Sequence, residues 1–185
     1  MRPTRDEVLM ESAMLWAKRG TCDRAQVGVV ISREARVLAT GYNGAPARMN
    51  HCIHEMWTAG IGPRPQWLLD YTRSRDDDDV LDHWDHGQML HWNGTTLTVT
   101  WDKRGPGCVN VVHAEANAIA FAAKHGVGTA GAELHTTRIP CTNCAGIIIN
   151  AGITRVVWYE EHRDMMGLVR LGEAGLDVVR YSYDN

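Results

Sequence analysis

The sequence of 185 residues lacks the features that mark three common classes of protein. Acidic residues outnumber basic ones, and the formal net charge is -3. We therefore expect no basic surface that binds long nucleic acid. The longest apolar runs, such as 27–31, are far too short for a membrane span or a signal peptide. The five cysteines are an odd number, and two form a Cys-x-x-Cys pair, which favours metal ligation or free thiols over disulfides. The sequence therefore predicts a cytoplasmic protein.

Strands and helices alternate along most of the chain. Thr4 and Glu7 have the spacing of a capping box and predict a first helix that ends near Gly20. Later elements are predicted as a hairpin of strands 27–32 and 37–40, helices 113–126, 141–150 and 164–173, and strands 134–137, 154–159 and 177–181. This order predicts an α/β fold, a three-layer α/β/α sandwich around a mixed sheet.

The segment from about 56 to 107 does not follow this alternation. We interpret it as a Trp-rich insertion within a single domain that spans residues 1–185, because it holds five of the seven tryptophans. Asn93-Gly94, between two strand-like runs, predicts a hairpin, and the aspartates at 76–79 are typical of a solvated loop. The insertion either completes an oligomer interface, which we favour, or covers the substrate as a lid.

One histidine and two cysteines have the local context of a zinc site. His113 and Cys141 each open a predicted helix, and Cys144 shares a helix face with Cys141. Helix N-termini favour thiolates because their amides and dipole attract anions. Two thiolates and one imidazole fill three corners of a zinc tetrahedron and leave the fourth for water, as in catalytic sites. The pattern predicts a zinc ion that activates water near neutral pH.

Glu115 lies two residues after His113, about 200° around the helix, so the pair cannot chelate one ion from one face. A carboxylate beside the metal but not bound to it is suited to moving protons from the metal-bound water to a substrate and its leaving group. A lone Cys-x-x-Cys also fits a redox pair or half of a structural zinc site. Together, His-x-Glu and Pro-Cys-x-x-Cys are the signature of zinc-dependent nucleobase deaminases.

Six short segments of the sequence together resemble a known family, and they lie at 21–24, 27–31, 41–46, 113–119, 140–144 and 150–153. Across about residues 4–55 and 108–181, they resemble the deoxycytidylate (dCMP) deaminase family of the cytidine deaminase superfamily. The resemblance implies hydrolysis of dCMP to dUMP and ammonia, which supplies dUMP for thymidylate synthesis. It also implies a homohexamer that dCTP activates and dTTP inhibits.

The resemblance also implies the roles of individual residues. His113, Cys141 and Cys144 would bind zinc, and Glu115 would be the proton shuttle. Substrate contacts would come from Asn43, which would help to hold the sugar, and from Ala114. An effector site would include the turn Gly41-Tyr42-Asn43-Gly44.

This sequence departs from the family at one residue, His162, and in the length of the insertion. His162 stands where members commonly have a tyrosine that reaches the substrate phosphate, and a histidine can bind phosphate too, so dCTP stays open as a second substrate. Arg24 is a further candidate for a phosphate contact, and a solvated loop arginine is the alternative. The insertion is longer than in many cellular members and has parallels in some phage enzymes. A phage-encoded enzyme that acts in the host cytoplasm is therefore also open.

The three remaining cysteines suggest a second, structural zinc ion. Its ligands would be Cys22, Cys52 and Cys108 with one of His83, His86 and His91, of which we select His91. The alternative is that these cysteines are buried small hydrophobes.

Three other functions stay open. One is a polynucleotide deaminase, against which the acidic charge balance argues. A free-nucleoside cytosine deaminase is the second. The third is a zinc-stabilised nucleotide-binding scaffold without catalysis, which would have no use for Glu115.

Overall fold

The computed structural model describes residues 2–22, 25–49, 111–162 and 164–183, together with the backbone of strands at 57–60, 83–85, 88–92 and 96–101. The elements are, in chain order, α1 (Arg5–Ala17), β1 (Gly28–Arg33), β2 (Arg36–Tyr42), β3 (Trp57–Gly60), β4 (His83–Asp85), β5 (Gln88–Trp92), β6 (Thr96–Trp101), α2 (Ala114–Lys124), β7 (Glu133–Arg138), α3 (Thr142–Asn150), β8 (Arg155–Glu160), α4 (Met166–Glu173) and β9 (Asp177–Arg180).

The first helix begins at the predicted capping box. The hydroxyl of Thr4 accepts a hydrogen bond from the amide of Glu7, and the carboxylate of Glu7 accepts one from the amide of Thr4. Two of the amides that a helix start leaves without partners are thereby satisfied. Helix α1 ends at Ala17, close to the predicted stop.

The central sheet has the strand order β2-β1-β7-β8-β9. Strand β1 is antiparallel to both β2 and β7, whereas β7, β8 and β9 run parallel to one another. The parallel strands are joined by helices α3 and α4, as parallel neighbours require a crossover. The mixed sheet predicted from the sequence is confirmed.

Helices cover both faces of this sheet because alternate strand residues point to opposite sides. Val29 and Ile31 belong to one buried cluster, which includes apolar residues of α2, α3 and α4. Val30, between them, belongs to a second cluster with Met10 and Ala13 of α1. The predicted three-layer α/β/α arrangement is confirmed.

Residues 52–109 form a compact unit of their own, apart from the unit of residues 1–51 and 110–185. Within it, strands follow the order β3-β6-β5-β4, and each neighbouring pair is antiparallel. Strand β5 pairs with β6, with Trp92 opposite Leu97, which confirms the predicted pairing of the two segments around Asn93-Gly94. The aspartates at 76–79 lie outside the described residues. That this unit is an insertion into a single deaminase domain stays a prediction.

A charged cluster ties α1 to the amino ends of the parallel strands. Arg155 donates two hydrogen bonds to the carboxylate of Asp6, at 2.9 and 2.7 Å, and one each to Glu133 and Asp177, at 2.9 and 3.0 Å. The Nε2 atom of the buried His135 lies 2.9 Å from Asp6. Ligand atoms of Asp6, Glu133 and His135 also lie within 4.8 Å of one another. Arg155 already pairs with both carboxylates of this group, so we interpret the cluster as structural.

None of the helices in the described part of the chain is long and apolar enough to cross a membrane.

Replacing Asp6 with asparagine is expected to lower the free energy of unfolding by about 1–2 kcal/mol, because Arg155 loses the carboxylate that accepts two of its hydrogen bonds. The hydrogen bonds from Arg155 hold the pKa of Asp6 well below its usual range. The stabilisation is therefore complete above the unfolded pKa of about 4 and is lost as the pH falls through the lower folded pKa.

Denaturant unfolding at neutral and acid pH measures both effects. Glu11→Gln, at an exposed position of α1, is the control and should unfold like the wild type. An Asp6→Asn protein as stable as the control at neutral pH would contradict the assignment.

Candidate functional site

Two helix N-termini meet beyond the carboxyl end of β7. His113 is the N-cap of α2, and Cys141 is the N-cap of α3. Pro140, which is fully buried, leads from the strand into α3, and Cys144 follows in the first turn of that helix. Because the first amides of a helix have no acceptor within it, both termini favour anionic groups at this point.

The three predicted ligand atoms have the separations that zinc requires. The Nδ1 atom of His113 lies 3.5 Å from the Sγ atoms of both Cys141 and Cys144, and all three atoms lie within 4.8 Å of one another. Tetrahedral zinc bonds of about 2.3 Å to sulfur and about 2.1 Å to nitrogen place those two ligand atoms about 3.6 Å apart. The donor set therefore fits zinc, and the predicted convergence of the three residues is confirmed.

The two thiols form a hydrogen-bonded pair in which one thiolate is favoured. The hydrogen bond with Cys144, and to a lesser extent that with His113, lowers the pKa of Cys141 to about 3. The same pairing and burial raise the pKa of Cys144. The hydrogen bond to Cys141 raises the pKa of His113. Since the thiolate is the form that binds metals, Cys141 is prepared for ligation.

Glu115 lies beside the ligand group without belonging to it. Its side chain is buried, with 3% exposed, and burial raises its pKa. The carboxyl group hydrogen-bonds with the thiol of Cys144, which places it next to the ligand atoms. A raised pKa makes a carboxylate a stronger base, which favours its taking a proton from water and passing it on, as a proton shuttle must.

Helix α2 is held against β2 by close backbone packing at Gly41. A Cβ atom at this position would lie 2.3 Å from the carbonyl oxygen of Ala114 and 2.7 Å from the amide nitrogen of Ala118, so only glycine fits. The side-chain amide of Asn117 donates a hydrogen bond of 2.8 Å to the carbonyl of Tyr42. These contacts fix the height of the first turn of α2 above the sheet, and with it the position of His113.

The turn 41–44 lies next to the segment that leads into α2. Gly44 and Val112 exchange two backbone hydrogen bonds, at 3.1 and 2.9 Å, directly before His113. Asn43 is buried, and its amide accepts from the backbone of Val27 at 2.8 Å and donates to that of Ala25 at 2.7 Å. Each amide atom retains capacity for one more hydrogen bond. The predicted sugar contact of Asn43 and the predicted effector role of the turn stay predictions.

His162 follows the carboxyl end of β8, and Cys141 follows the carboxyl end of the neighbouring strand β7, so both residues lie at the same end of the parallel strands. Its Nδ1 atom accepts a hydrogen bond of 3.1 Å from the amide of Asp164. A ring nitrogen that accepts a hydrogen bond carries no proton, so the neutral ring has its proton on Nε2, which can act as a donor. The side chain is half-buried.

Residues 3–59 and 82–160 match the family model of the cytidine and deoxycytidylate deaminase zinc-binding region. The chain belongs to this deaminase family. The deoxycytidylate deaminase of Saccharomyces cerevisiae is 33% identical over 99% of this chain, which spans 46% of the yeast protein. The deoxycytidylate deaminase of Mycobacterium phage D29 is 32% identical over 86% of this chain and 98% of the phage protein.

Among solved structures, a dCMP deaminase from the cyanophage S-TIM5 in complex with dCMP and dUMP is similar to this chain. The TM-score is 0.66 at 24% identity, over 98% of this chain and 99% of that one. At this level of identity the likeness establishes the deaminase fold.

The predicted residues of the deaminase site differ in where they lie. His113, Cys141, Cys144 and Glu115 come together, and Ala114 is buried in the first turn of α2. Cys22 is buried near the start of the chain. Outside the described residues, or known only as backbone, lie Arg24, Cys52, Cys108, His83, His86 and His91. The phosphate contact of Arg24 and the second zinc ion therefore stay predictions.

Two residues that support the site were not predicted from the sequence. Asn117 is a polar residue in an alanine-rich helix, and this contrast could have identified it as an internal hydrogen-bond donor. Asp164 accepts hydrogen bonds from Thr142 in α3, across 22 residues of sequence. Its position before α4 indicates a helix start, but no local pattern predicts a partner in another helix.

Replacing Gly41 with alanine is expected to weaken zinc binding, because the new methyl group displaces the turn of α2 that carries His113. Overpacking of this kind costs about 1–3 kcal/mol. Metal analysis of the purified protein and its melting temperature measure the two effects.

Gly172→Ala is the matched control, because a Cβ atom there meets nothing within 4 Å. It should retain zinc and be as stable as the wild type or slightly more so. Full zinc content and unchanged melting of Gly41→Ala would show that the close packing at β2 does not position the ligand.

Proposed function

We propose that this chain is a zinc-dependent hydrolytic deaminase that converts dCMP to dUMP and ammonia. The observation that carries the proposal is the open set of three zinc ligands with the buried carboxyl group of Glu115 beside it. A closed structural site has four protein ligands, and no fourth joins His113, Cys141 and Cys144 among the described residues. Membership of the deaminase family and the phage and yeast deoxycytidylate deaminases support the same chemistry.

The protein groups divide the chemical work. A bound zinc ion supplies Lewis acidity, which makes water a usable nucleophile near neutral pH. Glu115 accepts a proton from that water and delivers it to N3 of the cytosine ring as oxygen adds to C4. Glu115 then takes the remaining proton from the oxygen now bound to C4 and transfers it to the amine as the C4–N bond breaks, so that the products are a uracil ring and ammonia. Its burial keeps bulk water from competing for these protons.

Replacing Glu115 with alanine is expected to lower kcat by at least about a hundredfold and to leave zinc bound, because it removes the proton shuttle and none of the ligands. Cys141→Ser is expected to lose the metal. Loss of cytosine absorbance, together with metal analysis, measures both. More than trace turnover by zinc-loaded Glu115→Ala would remove Glu115 from the mechanism.

The substrate we propose is a cytosine deoxynucleotide, with dCMP preferred. His162 lies at the same end of the parallel strands as Cys141. Its Nε2–H group is therefore a suitable donor to a phosphate oxygen of the substrate. Binding energy from the phosphate can be used to orient the base for reaction. Arg24 stays a second candidate for the phosphate contact, and dCTP stays a second candidate substrate.

Replacing His162 with alanine is expected to lower kcat/KM for dCMP about ten- to hundredfold, because the substrate phosphate loses one hydrogen bond to a charged group. Activity on deoxycytidine, which has no phosphate, should not change. His125→Ala, at the exposed end of α2, is the control. A panel of deoxycytidine, dCMP, dCTP and single-stranded DNA measures the preference. Equal kcat/KM for deoxycytidine and dCMP would indicate a nucleoside deaminase, and preference for DNA a polynucleotide deaminase.

Regulation and assembly rest on family resemblance. We infer that dCTP and dTTP act as effectors, that the protein is a homohexamer, and that it acts in the cytoplasm. The backbone bridge between Gly44 and Val112 gives the predicted effector turn a direct connection to the segment of His113.

A further inference from the structure

Asp164 connects the N-termini of two helices through a single carboxylate. Its Oδ2 atom accepts hydrogen bonds from the amide of Thr142 at 3.2 Å and from the hydroxyl of Thr142 at 2.8 Å. Its Oδ1 atom accepts one from the amide of Met166 at 3.0 Å. Thr142 is the first residue of α3 and Met166 the first of α4, so one side chain satisfies donors of both helices.

The bonded part of α3 is the turn that carries both thiols. Thr142 directly follows Cys141 and precedes Cys144 by two residues. Helix α4 also touches this turn through its backbone, since a Cβ atom at Gly167 would lie 1.8 Å from the carbonyl oxygen of Pro140. The segment that carries the two sulfurs is therefore held from outside by α4, and Asp164 supplies the polar part of that contact.

Hydrogen bonds of this kind have two possible consequences. An ordinary helix cap stabilises the fold and has no further effect on a site. A contact that fixes the backbone between two ligands also maintains their separation, which zinc requires to within about 0.2 Å. The second consequence applies here because both donors of Thr142 lie between the two ligand cysteines.

We propose that Asp164 is a positioning residue that holds the Cys141–Cys144 turn in the geometry for zinc. This inference rests on the proposed zinc site, and it adds that retention of the metal depends on the contact between α3 and α4. Asp164 itself touches neither metal nor substrate in this role. Thr142 transmits its effect to the ligands.

The test measures zinc, not deamination. Purified wild type and Asp164→Asn are challenged with a chromogenic zinc chelator well below their melting temperatures, and the rate of zinc release and the competed affinity are recorded. Asparagine has only one acceptor oxygen, so it cannot accept from the amides of both Thr142 and Met166 as the two carboxylate oxygens do. We expect affinity to fall by about tenfold or more, as is typical when groups that orient metal ligands are removed.

Thr4→Ala is the matched control for stability, because it also removes a helix-capping side chain, at α1 and away from the ligands. It should melt earlier and retain zinc like the wild type. If Asp164→Asn and Thr4→Ala release zinc at the same rate as the wild type, Asp164 is only a cap and the proposal is wrong.

Thr142 provides a second test that keeps the charge of Asp164. Thr142→Ala removes the hydroxyl donor and should release zinc faster, whereas Thr142→Ser keeps the hydroxyl and should behave like the wild type. This pair decides the question even if Asp164→Asn does not fold. Wild-type protein that binds no zinc would overturn the proposed function together with this inference, whereas a zinc-binding wild type with unaffected variants would overturn the inference alone.

Discussion

The arrangement of the site depends on how closely two helix N-termini approach the sheet and each other. His113 belongs to α2 and the two cysteines to α3, so their ligand atoms meet only if each helix is placed to within a few tenths of an ångström. Backbone contact provides that accuracy. Gly41 lets α2 lie directly on β2, and Gly167 lets α4 lie directly on Pro140. Flexible side chains at these contacts would allow the helices to shift.

The sequence predicted the parts of the site that lie close together along the chain. His113 and Glu115 lie two residues apart, and Cys141 and Cys144 three, so each pair depends on one helix turn and can be recognised from residue type and spacing. The alternation of strands and helices predicted the layers for the same reason, because periodicity reflects local geometry. The convergence of the two pairs required the fold, and only a known signature suggested it beforehand.

The supporting contacts were beyond such reasoning because they join distant segments. Asn117 reaches Tyr42 across 75 residues, and Asp164 reaches Thr142 across 22. In each case the local sequence shows a polar residue in or before a helix but does not identify its distant partner. Asn43 illustrates the reverse case, since a motif marks it for the substrate while its amide braces the backbone at 25–27. Asn43 can therefore contact a substrate only through the hydrogen bonds that its amide does not already make to the backbone.

The two ends of the sheet carry different kinds of polar group. At the amino ends of β7, β8 and β9, the guanidinium group of Arg155 is paired with three carboxylates. At the carboxyl ends, a partly protonated pair of thiols and the buried Glu115 have pKa values displaced from their usual range. Groups that are paired in this way contribute to stability because each charge is directed at a partner within the protein. Because the paired charges lie at the end of the strands away from the site, the thiols and Glu115 are available for zinc and proton transfer and are not needed to hold the sheet together.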